Sequence, residues 1–377
     1  MSASDRTRLA HAKRWVVKIG SALLTNDGQG LDRARMQHWV DEMVHLRSQG
    51  IELCVVSSGA IAVGLKTLAL QSRPTEVPIL QAAAAIGQMG LIQAWQSCFD
   101  QHSVSTAQVL LTHDDLADRA RYLNARDTLK TLLRFGVVPV VNENDTVATA
   151  EIRFGDNDSL AALATNLIEA DVLVILTDQD GFFDRDPRMD TNAQLIREAR
   201  ALDPSLQSMA GRTGGTLGSG GMFTKIQAAV QAARSGAMTV IASGRTPHVL
   251  SRLATGDGEI GSLLIPDLKP QAARKRWLAS HKQVKGRLTV DPGAVDALVR
   301  LGRSLLPVGV TAVDGHFQRG DIVHVLNPDG EPIAVGLVNY DADVALRIRG
   351  LSTQQLRELN VLVEGDALIH RDNMALV

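Results

Sequence analysis

At Val140-Val141-Asn142-Glu143-Asn144-Asp145, an apolar strand ends in a series of amides and carboxylates. A second polar run, Gly155-Asp156-Asn157-Asp158, follows closely and precedes a helix predicted over residues 160–170. Open α/β sheets bind ligands at the carboxyl ends of their strands, so we expect these side chains to meet in one crevice. Turns are also rich in Asn and Asp. Two such runs around one strand-to-helix connection favour a site for a small polar molecule that carries both charges.

The composition argues against several classes of protein. The chain has 377 residues, enough for two or three domains, and 45% of them are apolar. A net charge of −2 gives no global basic field for nucleic acid or a membrane surface. Cys54 and Cys98, the only cysteines, lie in apolar surroundings, which predicts buried thiols and no disulfide or metal site. We expect a cytoplasmic protein, because the polar N-terminus is no signal peptide and no uninterrupted apolar run approaches the roughly 18 residues that span a bilayer.

The order of the apolar runs predicts an α/β domain at the N-terminal side. Repeated strand–helix–strand units predict a mostly parallel sheet that is covered on both faces. Leu116, Ala120 and Leu123 recur at helical spacing, as do Leu129, Leu132 and Leu133. Buried strands are predicted at residues 15–19, 53–56, 137–141, 172–176 and 239–242.

The character of the chain changes near Pro266. We predict a first domain over residues 1–265, a basic, proline-marked linker over 266–284 and a second domain over 285–377. Alternating apolar residues between Gly, Pro, Asn and Asp turns predict a small β-rich barrel there. Its strands are expected at residues 286–290, 308–313, 322–326, 333–337 and 345–348.

Two segments after predicted strands could bind anions. Lys18 precedes Gly20-Ser21, an arrangement that can bring an ammonium group and bare backbone amides to phosphate oxygens. Taken alone, Lys18 is better explained as a strand-end lysine that reaches solvent. Ser58 and Gly59 precede a helix and could bind a carboxylate or phosphate, although an ordinary serine N-cap explains them equally well. No Walker motif occurs, which disfavours a P-loop nucleotidase.

A glycine-rich loop over residues 214–221 leads into Met222-Phe223-Thr224-Lys225 and an Ala-rich helix. The loop could be a plain flexible linker. However, a lysine in the first turn of a helix is disfavoured by the macrodipole, and a bound anion would offset that cost. Asp156, Asn157 and Asp158 could likewise serve only to cap a helix. Capping requires only one such residue, however, so the other two are left for binding a ligand. In both segments we favour function.

Other kinds of active site find no support. The ten histidines are scattered, without an H-E-x-x-H motif or cysteine partners, so a zinc site is disfavoured. No G-x-S-x-G elbow is present for Ser-His-Asp chemistry. Arg119 and Arg121 are expected on a solvated helix face.

Taken together, these segments resemble the amino-acid kinase family, which shares a three-layer α/β/α sandwich. Among its branches, the Asn-Glu-Asn-Asp run with Gly-Asp-Asn-Asp is most similar to the kinases that act on glutamate. The tail from about Lys285 resembles a PUA domain, notably at residues 306–310 and 317–321. Further matching segments are residues 17–21, 57–62, 123–128, 141–145, 148–152, 155–158, 176–178 and 220–225.

The resemblance implies ATP-dependent phosphorylation of the γ-carboxylate of L-glutamate to L-glutamyl 5-phosphate, the first step of proline biosynthesis. Lys18 and Lys225 would contact the phosphoryl group, and Asp158 would orient both lysines. Glutamate would be held by Ser58, Gly59, Asn142, Asp145, Asp156 and Asn157. ATP would be bound by Lys18, Thr177, Asp178, Ser219, Gly220, Gly221, Met222, Phe223, Thr224 and Lys225. Mg²⁺ would be bound mainly through the nucleotide phosphates, with no metal ligands from the protein.

Two alternatives remain open from the sequence. A sibling kinase of the same fold would act on aspartate or N-acetylglutamate. A PUA-like tail could instead mean an RNA-binding protein, but residues 285–377 hold nine Lys and Arg against twelve Asp and Glu, which argues against strong binding to a phosphate backbone. The family resemblance also implies feedback inhibition by proline, a homodimer or homotetramer, and transient contact with the reductase that consumes glutamyl phosphate.

Overall fold

A computed structural model describes residues 5–26, 28–70, 72–147, 157–211, 221–267, 284–358 and 366–377. The chain divides into two compact units, residues 1–269 and 270–377. This division lies close to the change of character expected near Pro266. Most of the expected linker falls outside the described residues, so the domain bounds drawn from the sequence stay a prediction.

The first unit is built on an eight-stranded sheet. In chain order its strands are β1 (Arg14–Ile19), β2 (Glu52–Ser57), β3 (Thr106–Leu111), β4 (Val138–Glu143), β5 (Val172–Thr177), β6 (Glu198–Arg200), β7 (Met238–Ser243) and β8 (Ser262–Ile265). Across the sheet they follow the order β3-β4-β2-β1-β5-β7-β8-β6. The strands from β3 to β7 in this order pair in parallel, and β8 pairs antiparallel with β7. The prediction of a mostly parallel sheet is confirmed.

Helices cover both faces of this sheet. They are α1 (Ser21–Leu24), α2 (Arg33–Ser48), α3 (Ala60–Thr67), α4 (Val77–Asp100), α5 (His113–Ala117), α6 (Arg119–Arg134), α7 (Asn157–Ile168), α8 (Pro204–Met209), α9 (Met222–Arg234) and α10 (Val249–Ala254). Successive residues of a strand face opposite sides, so Val17 belongs to one buried cluster and Val16 to the other. The result is the three-layer α/β/α sandwich that the resemblance implied.

Several boundaries differ from those expected from the sequence. The helix expected over residues 160–170 begins at Asn157, so Asn157 and Asp158 lie in its first turn instead of before it. Leu116 lies in α5, whereas Ala120 and Leu123 lie in α6. The two helices are separate because the Asp118 side chain accepts a hydrogen bond from Arg121 N, 2.9 Å away, and so caps α6.

Close packing between α3 and α4 depends on two glycines. A Cβ atom on Gly64 would lie 1.7 Å from the carbonyl oxygen of Ala83, and one on Gly87 would lie 1.8 Å from that of Ala60. Real side chains cannot approach backbone so closely, so glycine alone permits this distance between the helix axes. Because α3 follows directly after Ser58 and Gly59, the crossing also fixes the position of that turn.

Both cysteines are buried thiols, as expected. Cys54 on β2 is fully buried, and Cys98 on α4 is 4% exposed. Burial raises the pKa of the Cys54 thiol to about 12. Among the described residues, α4 is the one helix long and apolar enough to cross a membrane by length and composition, with 33% of its most apolar window buried. A single helix of this kind is weak support for a membrane span, because core helices meet the same test.

The second unit contains a five-stranded sheet in the order β10-β9-β11-β12-β13. Its strands are β9 (Gly286–Val290), β10 (Val310–Gly315), β11 (Ile322–Leu326), β12 (Pro332–Leu337) and β13 (Met374–Leu376). Its helices are α11 (Pro292–Val299), α12 (Ala342–Ile348) and α13 (Thr353–Glu358). The strand expected at residues 345–348 is therefore wrong. Ala345 and Ile348 are the buried residues of a helix, and four residues are too few to separate alternation from helical spacing.

Candidate active site

Lys18, Asp158 and Lys225 form a buried charge cluster at the carboxyl edge of the sheet. Lys18 Nζ lies 2.6 Å from Asp158 Oδ1, and Lys225 Nζ lies 3.0 Å from Asp158 Oδ2. The three side chains come from β1 and from the first turns of α7 and α9, and each is 7% exposed or less. Two lysines more than 200 residues apart in sequence thus share one carboxylate. The structure therefore brings together the three residues that the resemblance assigned to phosphoryl transfer, and their role in the reaction stays a prediction.

The electrostatics of this cluster follow from its burial. Burial alone would raise the pKa of Asp158, but the Lys18 and Lys225 ammonium groups outweigh it and hold that pKa well below its usual range. Asp158 also lies in the first turn of a helix, where a negative charge is favourable. It offsets the unfavourable position of Lys225 in the first turn of α9. These three side chains by themselves carry a net charge of +1, which suits an anion.

The turns after β1 and β2 lie at the same edge, because the two strands are parallel neighbours. Gly20 N donates to the carbonyl oxygen of Leu176 at the end of β5, over 3.2 Å. Gly59 has φ +95°, in the left-handed region, and is the N-cap of α3 without any side-chain cap. The alternative in which Ser58 caps this helix is therefore wrong. The Ser58 hydroxyl instead accepts a hydrogen bond from Asn157 Nδ2, 3.0 Å away.

Asn142 and Asn157 connect the end of β4 to the start of α7. Asn157 Nδ2 donates to Asn142 Oδ1 over 3.1 Å and to the carbonyl oxygen of Ser57 over 3.3 Å. Asn142 is 1% exposed, and its Nδ2 donates to Gln88 Oε1 over 2.7 Å. Three of the predicted glutamate-binding residues, Ser58, Asn142 and Asn157, are therefore joined in one hydrogen-bond network.

Two carboxylates follow Asn142 at the end of β4. Glu143 is 6% exposed, and its Oε2 lies 3.7 Å from His113 Nδ1, which is beyond hydrogen-bond reach. Burial and the charge of Glu143 raise the pKa of Asp145 to about 7, although Arg73 acts against them. A cation placed beside Asp145 would favour its ionised form. Asp145 lies two residues after β4, and its role in holding glutamate stays a prediction.

The residues expected to bind nucleotide follow β5 and precede α9. Thr177 ends β5, and its Oγ1 donates to Asp178 Oδ1 over 3.0 Å. Gly221 is the N-cap of α9, and Met222, Phe223 and Thr224 form its first turn with Lys225. Thr224 Oγ1 lies 2.8 Å from both Asp158 Oδ2 and the carbonyl oxygen of Gly221. Asp156, Ser219 and Gly220 lie outside the described residues.

The sequence did not indicate Gln88 or Trp95 as part of this site. Trp95 Nε1 donates to Ser57 Oγ over 2.9 Å, and Gln88 accepts from Asn142 as described. Both lie on α4, an apolar helix that carries no recognisable motif. One signal could have pointed to Gln88. It is a partly buried polar residue at helical spacing from the buried Ala84 and Leu91, and polar groups removed from water require partners.

Comparison with known proteins gives two family matches. Residues 13–243 match the model of the amino acid kinase family, and residues 286–359 match that of the PUA domain. A glutamate 5-kinase of Stutzerimonas stutzeri is 60% identical over 99% of this chain and 100% of its own length. A glutamate 5-kinase of Alcanivorax borkumensis is 60% identical over 98% of both chains.

The similarity to solved structures is more distant. A UMP kinase from Bacillus anthracis superimposes with a TM-score of 0.47 at 14% identity, covering 68% of this chain and 97% of that one. The family assignment rests on the sequence matches, which extend over the whole chain. The chain belongs to the amino acid kinase family, in its glutamate 5-kinase branch.

Proposed function

We propose that this protein transfers the γ-phosphoryl group of ATP to the γ-carboxylate of L-glutamate, giving L-glutamyl 5-phosphate and ADP in the first step of proline biosynthesis. The observation that carries this proposal is the pair of lysines on one buried aspartate, beside a network of amides and hydroxyls. The relatives at 60% identity bear the name glutamate 5-kinase, and this favours glutamate over aspartate or N-acetylglutamate as the substrate.

The reaction requires no general base. A glutamate γ-carboxyl group has an unperturbed pKa of about 4.3, so it is already an anion at neutral pH. One of its oxygens attacks the γ-phosphorus, a new O–P bond forms, and the bond to the ADP oxygen breaks with its electron pair. The barrier is the approach of an anion to a polyanion. Lys18 and Lys225 would lower it by stabilising charge on the transferred group, while Asp158 keeps both ammonium groups in position.

The remaining site residues divide between the two substrates. Ser58, Gly59, Asn142, Asp145, Asp156 and Asn157 would hold glutamate. Thr177, Asp178 and residues 219–225 would bind ATP, with Lys18 between the two. The parallel neighbours β1, β2, β4 and β5 support this division, because their carboxyl ends bring both groups of residues to one edge of the sheet.

ATP use follows from membership of this kinase family, and we propose Mg²⁺ as its companion. Among the residues that the structure describes, no group of three or more His, Cys, Asp or Glu side chains could hold a metal ion. We propose that the cation enters on the nucleotide phosphates, as the family relation implies. When bound there, Mg²⁺ would neutralise part of the phosphate charge.

Four further properties stay predictions that rest on the family relation. They are inhibition by proline, assembly as a homodimer or homotetramer, handover of the acyl phosphate to its reductase, and a cytoplasmic location.

Trapping the product with hydroxylamine tests the function. Purified protein is given Mg-ATP with glutamate, aspartate or N-acetylglutamate, and hydroxamate is measured. We expect hydroxamate at a useful rate from glutamate alone. Hydroxamate chiefly from aspartate or N-acetylglutamate would replace our proposal with the sibling kinase. No hydroxamate from any of the three would remove the proposed reaction.

A further inference from the structure

Three side-chain amides, Gln88, Asn142 and Asn157, form a chain of hydrogen bonds from α4 to the glutamate-binding residues. Asn142 Nδ2 donates to Gln88 Oε1 over 2.7 Å, and Asn142 Oδ1 accepts from Asn157 Nδ2 over 3.1 Å. Gln88 has no place among the residues described above for phosphoryl transfer or nucleotide binding. Its only described polar contact with the site is the amide of Asn142.

The orientation of each amide in this chain follows from two backbone groups. The Glu143 N–H can only donate, and it donates to Asn142 Oδ1 over 2.9 Å. The carbonyl oxygen of Ser57 can only accept, and it accepts from Asn157 Nδ2 over 3.3 Å. Asn142 therefore directs its side-chain nitrogen at Gln88, and Gln88 must accept that hydrogen bond with its side-chain oxygen. Every other orientation would place two donors or two acceptors face to face.

The consequence is that the buried groups left over beside this chain of amides are acceptors. Within the part of the chain that the structure describes, the buried Asn157 Oδ1 has no hydrogen-bond partner, and the same is true of both Glu143 carboxylate oxygens. Asp145 adds a further carboxylate two residues beyond Glu143. Buried acceptors without partners are costly, so a ligand that brings several N–H donors is favoured. An ammonium group has three such donors and a positive charge.

We propose that Gln88 is a positioning residue that makes the site selective for a substrate with a free α-ammonium group. This rests on the proposed function, since it names the part of glutamate that the amide chain recognises. Without the Gln88 acceptor, the nitrogen of the buried Asn142 amide loses its partner, and the amide turns to find another. Asn157 then loses one of the acceptors that hold its nitrogen away from the substrate. The Asn157 side chain can then turn, and its Oδ1 no longer faces the ammonium group of the substrate.

The test compares two substitutions at one position. Gln88→Met keeps the length of the side chain and its helix propensity but removes the acceptor. Gln88→Glu keeps an acceptor. For each variant we measure the KM for glutamate, the KM for ATP, and the inhibition constant of glutarate, which has both carboxylates but no amino group. Thermal unfolding of each variant shows that it is folded.

We expect Gln88→Met to raise the glutamate KM by about tenfold, as loss of one buried hydrogen-bond partner implies. The glutarate inhibition constant and the ATP KM should stay close to those of the parent. Gln88→Glu should keep the preference for glutamate over glutarate. Equal weakening of glutamate and glutarate in Gln88→Met, or no change in either, would overturn the proposal.

If Gln88→Met does not fold, Gln88→Leu, which also lacks an acceptor, takes its place. A glutamate KM raised more than the glutarate inhibition constant supports the proposal, and equal or absent changes in a folded variant overturn it. Failure of the proposed function is a different result, because the parent protein itself would then form no hydroxamate from glutamate.

Discussion

At the scale of single residues, the ion pairs of Asp158 explain how two like charges can share a buried place. Removing an ammonium group from water is expensive, and two of them at close range repel each other. Asp158 contacts both Lys18 and Lys225 with one oxygen each, so attraction to the carboxylate offsets part of the desolvation cost of each ammonium group. The lysines are thus held in position before any nucleotide arrives, which is the preorganisation that electrostatic catalysis requires.

Replacing Lys18 should separate catalysis from glutamate binding. We expect Lys18→Ala to lower kcat by roughly 10²-fold or more, since it removes a donor to charge that develops in the transition state. The KM for glutamate should stay close to that of the parent, because the glutamate-binding residues are unchanged. Lys13→Ala, at an exposed lysine just before β1, is the control. Steady-state kinetics measure both constants, and an unchanged kcat in Lys18→Ala would remove Lys18 from the phosphoryl site.

The raised pKa of Asp145 gives the glutamate step a pH dependence. Without substrate this carboxyl has a pKa of about 7, raised by burial and by Glu143, so it is ionised above that pH and neutral below it. Only the ionised form attracts an ammonium group. We therefore expect kcat/KM for glutamate to fall as the pH drops through about 7, because this constant reports the free enzyme.

The control for this pH dependence is Asp145→Asn. It should have a lower kcat/KM for glutamate and should lose this part of the pH profile. A variant profile that still falls around the same pH would show that another group titrates.

The charged residues of the site could be named from the sequence, whereas the residues that hydrogen-bond to the site from α4 could not. The local pattern favoured function at Asp158, at the start of a helix, whereas at Lys18 and Ser58 it only allowed an anion site. It was the family resemblance that assigned the three residues to one site. Gln88 reaches the site from an element 54 residues before its partner Asn142, and no local pattern specifies such a contact. The charge on Asp145 likewise depends on burial, which only the folded chain determines.

At the scale of elements, the crossing of α3 and α4 joins the site to the core. Gly64 and Gly87 permit an approach at which a Cβ atom would overlap backbone of the facing helix. On the same helix α4, Trp95 holds Ser57 and Gln88 holds Asn142. Displacement of one helix would therefore move the turn at Ser58 and disturb the amide chain together.

An alanine at Gly87 should destabilise the first unit and weaken glutamate binding. Overpacking typically costs about 1–3 kcal/mol, and contact with backbone leaves little room to relax, so we expect a lower Tm and a higher KM for glutamate. Gly90→Ala on the same helix is the matched control, because its Cβ would lie 3.6 Å from Val63 Cγ1, an ordinary contact. That change should leave Tm unchanged or raise it, since alanine favours helix more than glycine does. Equal Tm values for the two variants in thermal unfolding would contradict this account.

Strong elements were predicted well, and short or edge elements were not. The strands β1, β2, β4, β5 and β7 are buried apolar runs, and each was expected within two residues of its observed ends. β3 was missed because it lies at the edge of the sheet and is only half buried, so its apolar pattern is weak. The helix α12 was expected as a strand because its short apolar run fits both periods.

At the scale of the whole molecule, the two units have separate hydrophobic cores. The first unit holds the clusters on the two faces of its sheet, and the second holds a cluster around Leu288, Val323 and Ile369. Every residue assigned to the proposed reaction lies between Lys18 and Lys225, within the first unit. None of these residues belongs to residues 284–358 or 366–377, the described part of the second unit.

A chain that ends at residue 267 should therefore fold and keep kinase activity. We expect its kcat and its KM for glutamate to stay close to those of the full chain, measured by hydroxamate formation, with circular dichroism to show that it is folded. The full chain assayed in parallel is the control. A folded but inactive truncated protein would mean that the second unit takes part in the reaction.

The two buried thiols have a practical consequence for following the opening of the protein. Both belong to the first unit, so alkylation of cysteine reports on that unit and is silent for the second. Cys54 lies on a central strand and would react with iodoacetamide only after the sheet itself has come apart, because a thiol with so high a pKa is also a poor nucleophile. Cys98 lies near the end of a helix, where fraying is enough to admit reagent. The ratio of the two labelling rates would thus separate local breathing from global unfolding in the unaltered chain.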